Sequence, residues 1–561
     1  MGRRSAKNPP FSGRRFTRRR LLGAGAGTLA ATALGAIGCN TQNDIGGRYW
    51  EDPSFLTPAA PDGTPQSGGH LVAGTAVTFG GLDPQLSVDS YLLGEKLHGY
   101  LFSVDLRTRA IDLQMAESSE QVDETTYVWK LRPGIKFHNA DPTWGREVTA
   151  EDVVYSMERR RDEPTSQNDK QLLRDYTADF SATDDLTFQL VTTRPYSPTF
   201  DEIGNPSYAI VPREAVEKWG NLQQDAVGCG AYLLKSFTRG EKVEFVKNPD
   251  FYMKGLPYLD SIDVNIMGDE AAIAQAFATA RTDSYGGSSP NRMKVEQWKG
   301  MKGIHVRTGP NLWRRTFMLR VDKPPFDDVR VRKALDLAID RQDLINKMAF
   351  GDSRFAGPIV PDLQPWALPQ EEVDSFYAMD REQSKQLLSA AGYADGLNVE
   401  LKIQNVADLS KLSEIVLGHL ETVGIRCKIA LQELGIHLAQ TLYPGNFEMT
   451  AYYNLPYSEP DRPLCQWFSK GQAGTTFSGY NNPNADEWIW KERSEFDPEK
   501  RRQIILDMQR SMMKEHGPQI STISDIGYGA YWEWLHGIDE NIGRGTYNDL
   551  GISYWMTDRN G

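Results

Sequence analysis

The chain has 561 residues, 40% of them hydrophobic, with 62 Lys and Arg against 75 Asp and Glu and a formal net charge of −13. Eight of the basic residues and no acid fall in the first 39 positions, so the remainder stands at 54 against 75, or −21, a balance that repels nucleic acid and anionic headgroups. The roughly 520 residues after position 39 are too many for one core and call for two or three domains.

At the N-terminus, Thr17-Arg-Arg-Arg-Leu-Leu22 sets an arginine pair before two leucines, and an Ala/Gly-rich run leads to Gly38 and Cys39. A basic segment, a short apolar segment and a small-residue cleavage site read as an export signal. The arginine pair resembles the twin-arginine type. Ala36-Ile-Gly-Cys39 is similar to a bacterial lipobox, in which Cys39 becomes the lipidated N-terminus. Five glycines among the eighteen residues Leu21–Gly38 weaken the rival reading as a membrane-spanning anchor. A cleaved soluble form is the third reading. Residues 40–69, rich in Gly, Pro, Asp, Ser and Thr, are expected to be a flexible tether.

Regular structure is expected from His70 onward. Tyr127-Val-Trp-Lys-Leu-Arg132 alternates with period two and stops at Pro133-Gly134, a strand and turn. Thr149 caps a helix, and Asp152 three residues on makes a variant capping box. A second helix opens near Phe326, with Val331, Leu335, Ala338 and Ile339 on one face. A third runs from Asp380 to the stop at Gly392. Then come a strand at Leu397–Ile403, a helix at Leu409–Val423 and a strand at Ile425–Leu431. Strand, helix and strand with short links argue for an α/β domain in the second half. No later stretch is long and apolar enough to span a bilayer, so membrane attachment is expected only through the lipid.

Chemical motifs are sparse. The eight histidines (70, 98, 138, 305, 419, 437, 516 and 536) contain no i,i+4 pair for a metal. There is no Cys-x-x-Cys, no Gly-x-Ser-x-Gly elbow and no Walker-type phosphate loop. Asp184-Asp185 and Asp327-Asp328 read as solvated surface pairs. The cysteines after Cys39, at 229, 427 and 465, read as separate buried thiols. Neither catalytic residues nor a cofactor or metal is expected, although an exported hydrolase or redox enzyme remains an alternative.

Separated segments carry a resemblance. Leu131-Arg-Pro-Gly-Ile-Lys-Phe-His-Asn139 followed by Val148-Thr-Ala-Glu-Asp-Val-Val-Tyr-Ser-Met157, then Gly228-Cys-Gly-Ala-Tyr232, Asn248-Pro-Asp-Phe-Tyr252 and Gly255-Leu-Pro-Tyr-Leu-Asp260, come in order. Pro324-Pro-Phe-Asp-Asp-Val-Arg-Val-Arg-Lys-Ala-Leu335, Ala390-Ala-Gly-Tyr393 and Tyr480-Asn-Asn-Pro-Asn-Ala-Asp486 follow. Together, over roughly 68–560, they resemble the bacterial family 5 extracellular solute-binding proteins, receptors of ATP-driven (ABC) importers for oligopeptides, dipeptides and nickel. Phe137, Val153 and Leu335 read as core within those motifs. The resemblance implies an α/β, two-lobe periplasmic-binding-protein-like fold (type II) with an extra subdomain in the first lobe. The boundaries expected are 1–39 for the signal, 40–69 for the tether, 70–312 and 520–561 for lobe I (inserted subdomain about 90–208), and 313–519 for lobe II.

The resemblance also implies where a ligand sits: a cleft that closes on it. Four segments are expected to reach it. They supply Thr78, Phe79 and Asp83; Tyr285 and Ser288; Trp313; and Tyr453, Asn454, Tyr457 and Asp461 with the nearby Trp467. Peptide receptors of this family carry an Asp four residues before the Pro of a Glu-Pro or Asp-Pro pair, which meets the peptide's α-ammonium. Here Glu459-Pro460 aligns and Pro456 takes that place. A missing anchor disfavours a free peptide N-terminus. Tyr452, Tyr453, Tyr457 and Trp467 point instead to a ring-stacked neutral solute such as an oligosaccharide. The expectation is therefore a monomeric, exported, lipid-anchored receptor at the outer face of the membrane or in the periplasm, binding a small molecule, oligosaccharide or peptide, with an ABC permease as partner and no nucleic acid. A sensory receptor on the same fold is the other alternative.

Overall fold

The computed structural model describes residues 14–16, 63–75, 79–86, 90–104, 110–165, 172–285, 292–309, 311–454, 459–467, 469, 477–538 and 551–558. Cys39, most of the expected signal and tether, Thr78, Ser288, Pro456 and Tyr457 lie outside them. The chain divides into two compact units: 1–52, 79–261 and 547–553 form one, and 53–78, 262–546 and 554–561 the other. These boundaries differ from the lobes expected from the sequence. In this division residues 262–312 and 520–546 fall with 313–519, and within that unit Ile304–Gly309 runs antiparallel to Gly527–Trp532, two segments that the expected lobe I also held together.

The first unit holds an antiparallel sheet built from β1 (Ala116–Gln121), β2 (Thr126–Leu131), β3 (Thr177–Asp184) and β4 (Thr187–Thr192), in the order β1-β2-β4-β3 with Arg14–Phe16 at the outer edge. The alternation read in β2 is real: Tyr127, Trp129 and Leu131 are buried, while Lys130 is exposed. Trp129 stacks on Phe102, Tyr127 and Phe188, with ring centroids 6.1, 6.2 and 5.8 Å apart. Helix α1 (Ala150–Asp162) starts at the expected capping box, where the Thr149 backbone N–H donates to Asp152 at 2.9 Å. Arg146 then forks Asp152 and Glu214, tying the cap to a second helix.

In the same unit the Gly228-Cys-Gly230 motif is a close-approach device. A Cβ at Gly228 would sit 2.1 Å from the Leu97 carbonyl oxygen, and one at Gly230 2.4 Å from that of Lys96. The backbone of Gly228 meets His138 from both sides: His138 N–H donates to its carbonyl at 2.7 Å, and its own N–H donates to His138 Nδ1 at 3.2 Å.

The second unit is α/β. Its sheet comprises β5 (Arg314–Leu319), β6 (Leu397–Gln404), β7 (Ile425–Gln432), β8 (Met449–Asn454) and β9 (Gln519–Ser521), ordered β7-β6-β8-β5-β9. The β6 strand pairs in parallel with both β7 and β8, whereas β5 is antiparallel to β8 and to β9. Helices α2 (Val329–Ala338), α3 (Arg381–Ala390) and α4 (Ala407–Glu421) pack on it. Val331, Leu335 and Ala338 face that core as the periodicity required, and the strand-helix-strand reading of residues 397–431 is observed as β6-α4-β7. Gly424, at φ +92°, makes the tight turn into β7. Cys229 and Cys465 are buried thiols; Cys427 is only half-buried, because β7 is the sheet's edge strand.

Candidate functional site

In open α/β sheets a ligand is met at the carboxyl ends of the parallel strands, where the helix that follows begins. In the second unit that edge is made by the ends of β6, β7 and β8. The first residues of β5 join it, because Arg314 pairs with Asn454 and Arg315 with Tyr453. Two arginines in succession at the start of an apolar strand must point to opposite faces. Arg314 turns inward, donating to the carbonyls of Gly357 and Pro358 at 2.5 and 2.7 Å and to Gln519 at 2.9 Å. Arg315 turns to the other face, toward Asp408 in the first turn of α4 and Asp525 just past β9.

Arg315 holds these two carboxylates together. Its Nε and one terminal nitrogen donate to Asp408 at 2.5 and 3.2 Å, and the other terminal nitrogen donates to Asp525. The Tyr453 hydroxyl donates to the same Asp408 oxygen at 2.6 Å. Burial alone would lower the Arg315 guanidinium's pKa, but the two carboxylates outweigh it and hold the group above its ordinary value. The Tyr453 hydroxyl is raised by burial and then by Asp408. Trp313, 38% exposed, stands edge-on to Tyr453 with centroids 6.2 Å apart. The Asn311 N–H donates to Asp362 at 2.7 Å, and Arg354 pairs with the same buried carboxylate. The result is a partly open edge carrying one guanidinium, two carboxylates and an exposed indole.

The other residues expected to touch a ligand have different surroundings. Asp83 is 0% exposed: its carboxylate accepts from Arg159 at 2.6 and 3.1 Å and from the Leu222 N–H at 3.0 Å, so it is a scaffold ion pair of the first unit. Phe79 is buried in that unit. Tyr285 is buried against Trp298 and Phe277, and its hydroxyl donates to Glu270 at 2.5 Å. Asp283, just before it, accepts from the Val72 N–H at 2.7 Å and the Trp534 indole at 2.8 Å, which ties strands rather than a solute. Asp461 is also 0% exposed and pairs with the equally buried Arg493, one contact being 2.9 Å. Burial would raise its carboxyl, and Arg493 overrides that to hold it below the usual range. The adjacent Glu459 pairs with Arg501, which also holds Glu492 at 2.8 Å. Trp467 is buried edge-on to Tyr480, and Tyr452 donates inward to Gln466 at 2.8 Å. Of the eleven expected contacts, the structure brings Trp313, Tyr453 and the end of β8 at Asn454 to one edge.

The sequence brings the segment Asn311–Arg315 to the expected cleft without singling out Arg315, and it names neither Asp408 nor Asp525 for this edge. A signal for the first two exists: an Arg pair opening an apolar strand, and an acid in the helical turn after a parallel strand. Among the described residues no group of three or more His, Cys, Asp or Glu is arranged to hold a metal ion, and no helix is long and apolar enough to cross a membrane.

Residues 110–475 match the family described as bacterial extracellular solute-binding proteins, family 5. The chain belongs to this family, and its fold is the two-lobe, mixed α/β fold of type II periplasmic binding proteins. It is similar to the glutathione-binding protein GsiB of Escherichia coli O1:K1, with 24% identity over 80% of this chain and 87% of that protein. GsiB of Salmonella typhi is 24% identical over 79% and 87%. Among solved structures, it is similar to the ABC transporter-associated DppA of Helicobacter pylori in complex with the peptide STSA, at TM-score 0.76 and 22% identity over 88% and 99% of the two chains. It is similar as well to a dipeptide-binding protein of Pseudoalteromonas sp. SM9913 in complex with Met-Leu, at TM-score 0.76 and 20% identity over 87% and 100%.

Proposed function

We propose that this solute-binding protein is the receptor of an ATP-driven importer and that it captures a short peptide or a peptide-like solute such as glutathione. The observation that carries this reading is the charged edge of the second unit, where Arg315, Asp408 and Asp525 offer both signs of charge beside the exposed Trp313. Such a set suits a zwitterion. The similar proteins named above bind glutathione, the peptide STSA and Met-Leu, which agrees in class.

The oligosaccharide expectation is withdrawn. It rested on free rings in and after β8, but Tyr452 and Trp467 are buried and the Tyr453 hydroxyl is given to Asp408. Calorimetry with Met-Leu, Ser-Thr-Ser-Ala and glutathione, set against cellobiose and maltotriose, tests the class. Micromolar or tighter binding of at least one of the first three supports it; heat from the sugars alone overturns it. We propose further that Cys39 carries the lipid that keeps the exported protein at the membrane, on the strength of Ala36-Ile-Gly-Cys39. The Cys39→Ala variant should then leave the membrane fraction, and a processed variant that stays there would refute the lipid anchor.

A further inference from the structure

The outermost strand of the second unit's sheet, β7, is open on one side. It runs parallel to β6 in unbroken register over Ile425–Gln432, and among the described residues no strand pairs with its other edge. Alternate backbone N–H and C=O groups along that edge face outward with no strand to meet them. Natural sheets close such an edge with a proline, a bulge or a very short strand. None of these is present in β7, which has eight residues.

The two faces of β7 differ. Arg426 and Lys428 are exposed on one face, beside their register partners on β6, Asn398 and Glu400. With Val399 and Cys427 these four line a surface groove of about 430 Å³. Glu400 already has Lys402 at 3.5 Å, whereas among the described residues Arg426 and Lys428 have neither an ion-pair nor a hydrogen-bond partner. Two unpaired cations side by side stand out on a chain whose charge after residue 39 is −21. On the other face Cys427 and Ile429 are partly buried against the core, and Leu431, next along the same stripe, is 55% exposed.

We infer that the open edge of β7 docks an extended segment of a partner protein in which acidic and apolar residues alternate. Such a segment adds a sixth strand to the sheet, and its backbone meets the outward groups of β7. Side chains of an added strand alternate between the two faces. Its acids fall beside Arg426 and Lys428, and its apolar residues cover Ile429 and Leu431. Cross-strand pairs of both kinds stabilise a sheet. The cations also select: they repel a basic strand, and a second copy of this chain would set the same arginine and lysine along one face. The docking edge is independent of which solute the receptor captures.

The test is a blocked peptide, Ac-Thr-Glu-Val-Glu-Val-Glu-Thr-NH2, titrated into the full mature protein, with amide exchange over 425–432 read by mass spectrometry. Two controls keep its length. The lysine form is Ac-Thr-Lys-Val-Lys-Val-Lys-Thr-NH2. The proline form, Ac-Thr-Glu-Pro-Glu-Pro-Glu-Thr-NH2, keeps the acids and loses backbone donors. The acidic peptide should bind with a Kd below about 1 mM and slow exchange in β7, and both controls should bind about 10-fold more weakly or worse. The double variant Arg426→Glu with Lys428→Glu is altered only at exposed positions and should keep the parent's melting temperature. It should lose about 10-fold or more in affinity for the acidic peptide and gain affinity for the lysine form. Should the variant fail to fold, the proline comparison in the unaltered protein decides alone. Binding that leaves exchange in β7 unchanged, or that ignores the variant, places the peptide elsewhere and overturns the inference. So do equal binding of the acidic and proline forms, and no binding up to about 1 mM. A concentration-dependent dimer in sedimentation that the variant dissolves assigns the edge to a second copy and overturns it as well.

Discussion

His98 gives the first unit a measurable weakness in acid. The imidazole is 1% exposed, and neither ring nitrogen has a hydrogen-bond partner in the structure. Burial is the largest reason its pKa falls, from 6.5 to about 3; Asp83 pulls it up, and His138 and Arg159 push it down. The unfolded chain therefore takes up a proton near pH 6.5, which the folded chain refuses until about pH 3. For a base depressed in this way, stability is intact above 6.5 and is lost as the pH falls through the window from 6.5 to 3. At pH 4.5, two units into that window, the loss from His98 alone is about 2.7 kcal/mol at 1.36 kcal/mol per unit. His98→Leu removes the titrating group. Whatever it changes in packing is independent of pH, so urea midpoints at pH 7 and pH 4.5 isolate the effect. The variant should lose about 2.7 kcal/mol less than the parent between the two. Exchange of the imidazole C–H with deuterium, read by mass spectrometry, follows the same group directly. Parallel stability profiles, or an imidazole that titrates near 6.5 in the folded protein, would refute the argument.

Replacing Asp83 by Ala leaves Arg159 buried without its carboxylate; the expected cost is about 3–5 kcal/mol in urea unfolding, with little change in peptide affinity. Gly228→Ala forces a Cβ to within 2.1 Å of the Leu97 carbonyl, and it should lower the melting temperature by several degrees or abolish soluble expression. Trp313→Ala, at an exposed ring, should leave the melting temperature nearly unchanged while weakening peptide binding about 2- to 10-fold by calorimetry.

The parts of the fold that were legible in the sequence are those specified by neighbouring residues. The β6-α4-β7 unit was visible because its period changes from two to 3.6 and back, and a glycine at φ +92° separates the last two elements. The capping box of α1 was visible for the same reason, since Thr149 and Asp152 lie within one turn. Asp83 and Asp461 are expected at the ligand because the resemblance brings their segments to the cleft. Their partners, Arg159 and Arg493, lie 76 and 32 residues away, and no local pattern announces them. In the fold each carboxylate is held by a buried guanidinium instead.

The same distance hid the charged edge. Arg315 is 93 residues from Asp408 and 210 from Asp525. The three meet because β8 is inserted between β6 and β5, and because β9, formed almost at the end of the chain, pairs with the far side of β5. A strand order of this kind follows from burying apolar faces in the core cluster of Phe317, Leu401, Ala451 and Ile520, not from any attraction between Arg315 and its acids. The hydrophobic sheet is what delivers the charges, and it delivers two carboxylates to one guanidinium.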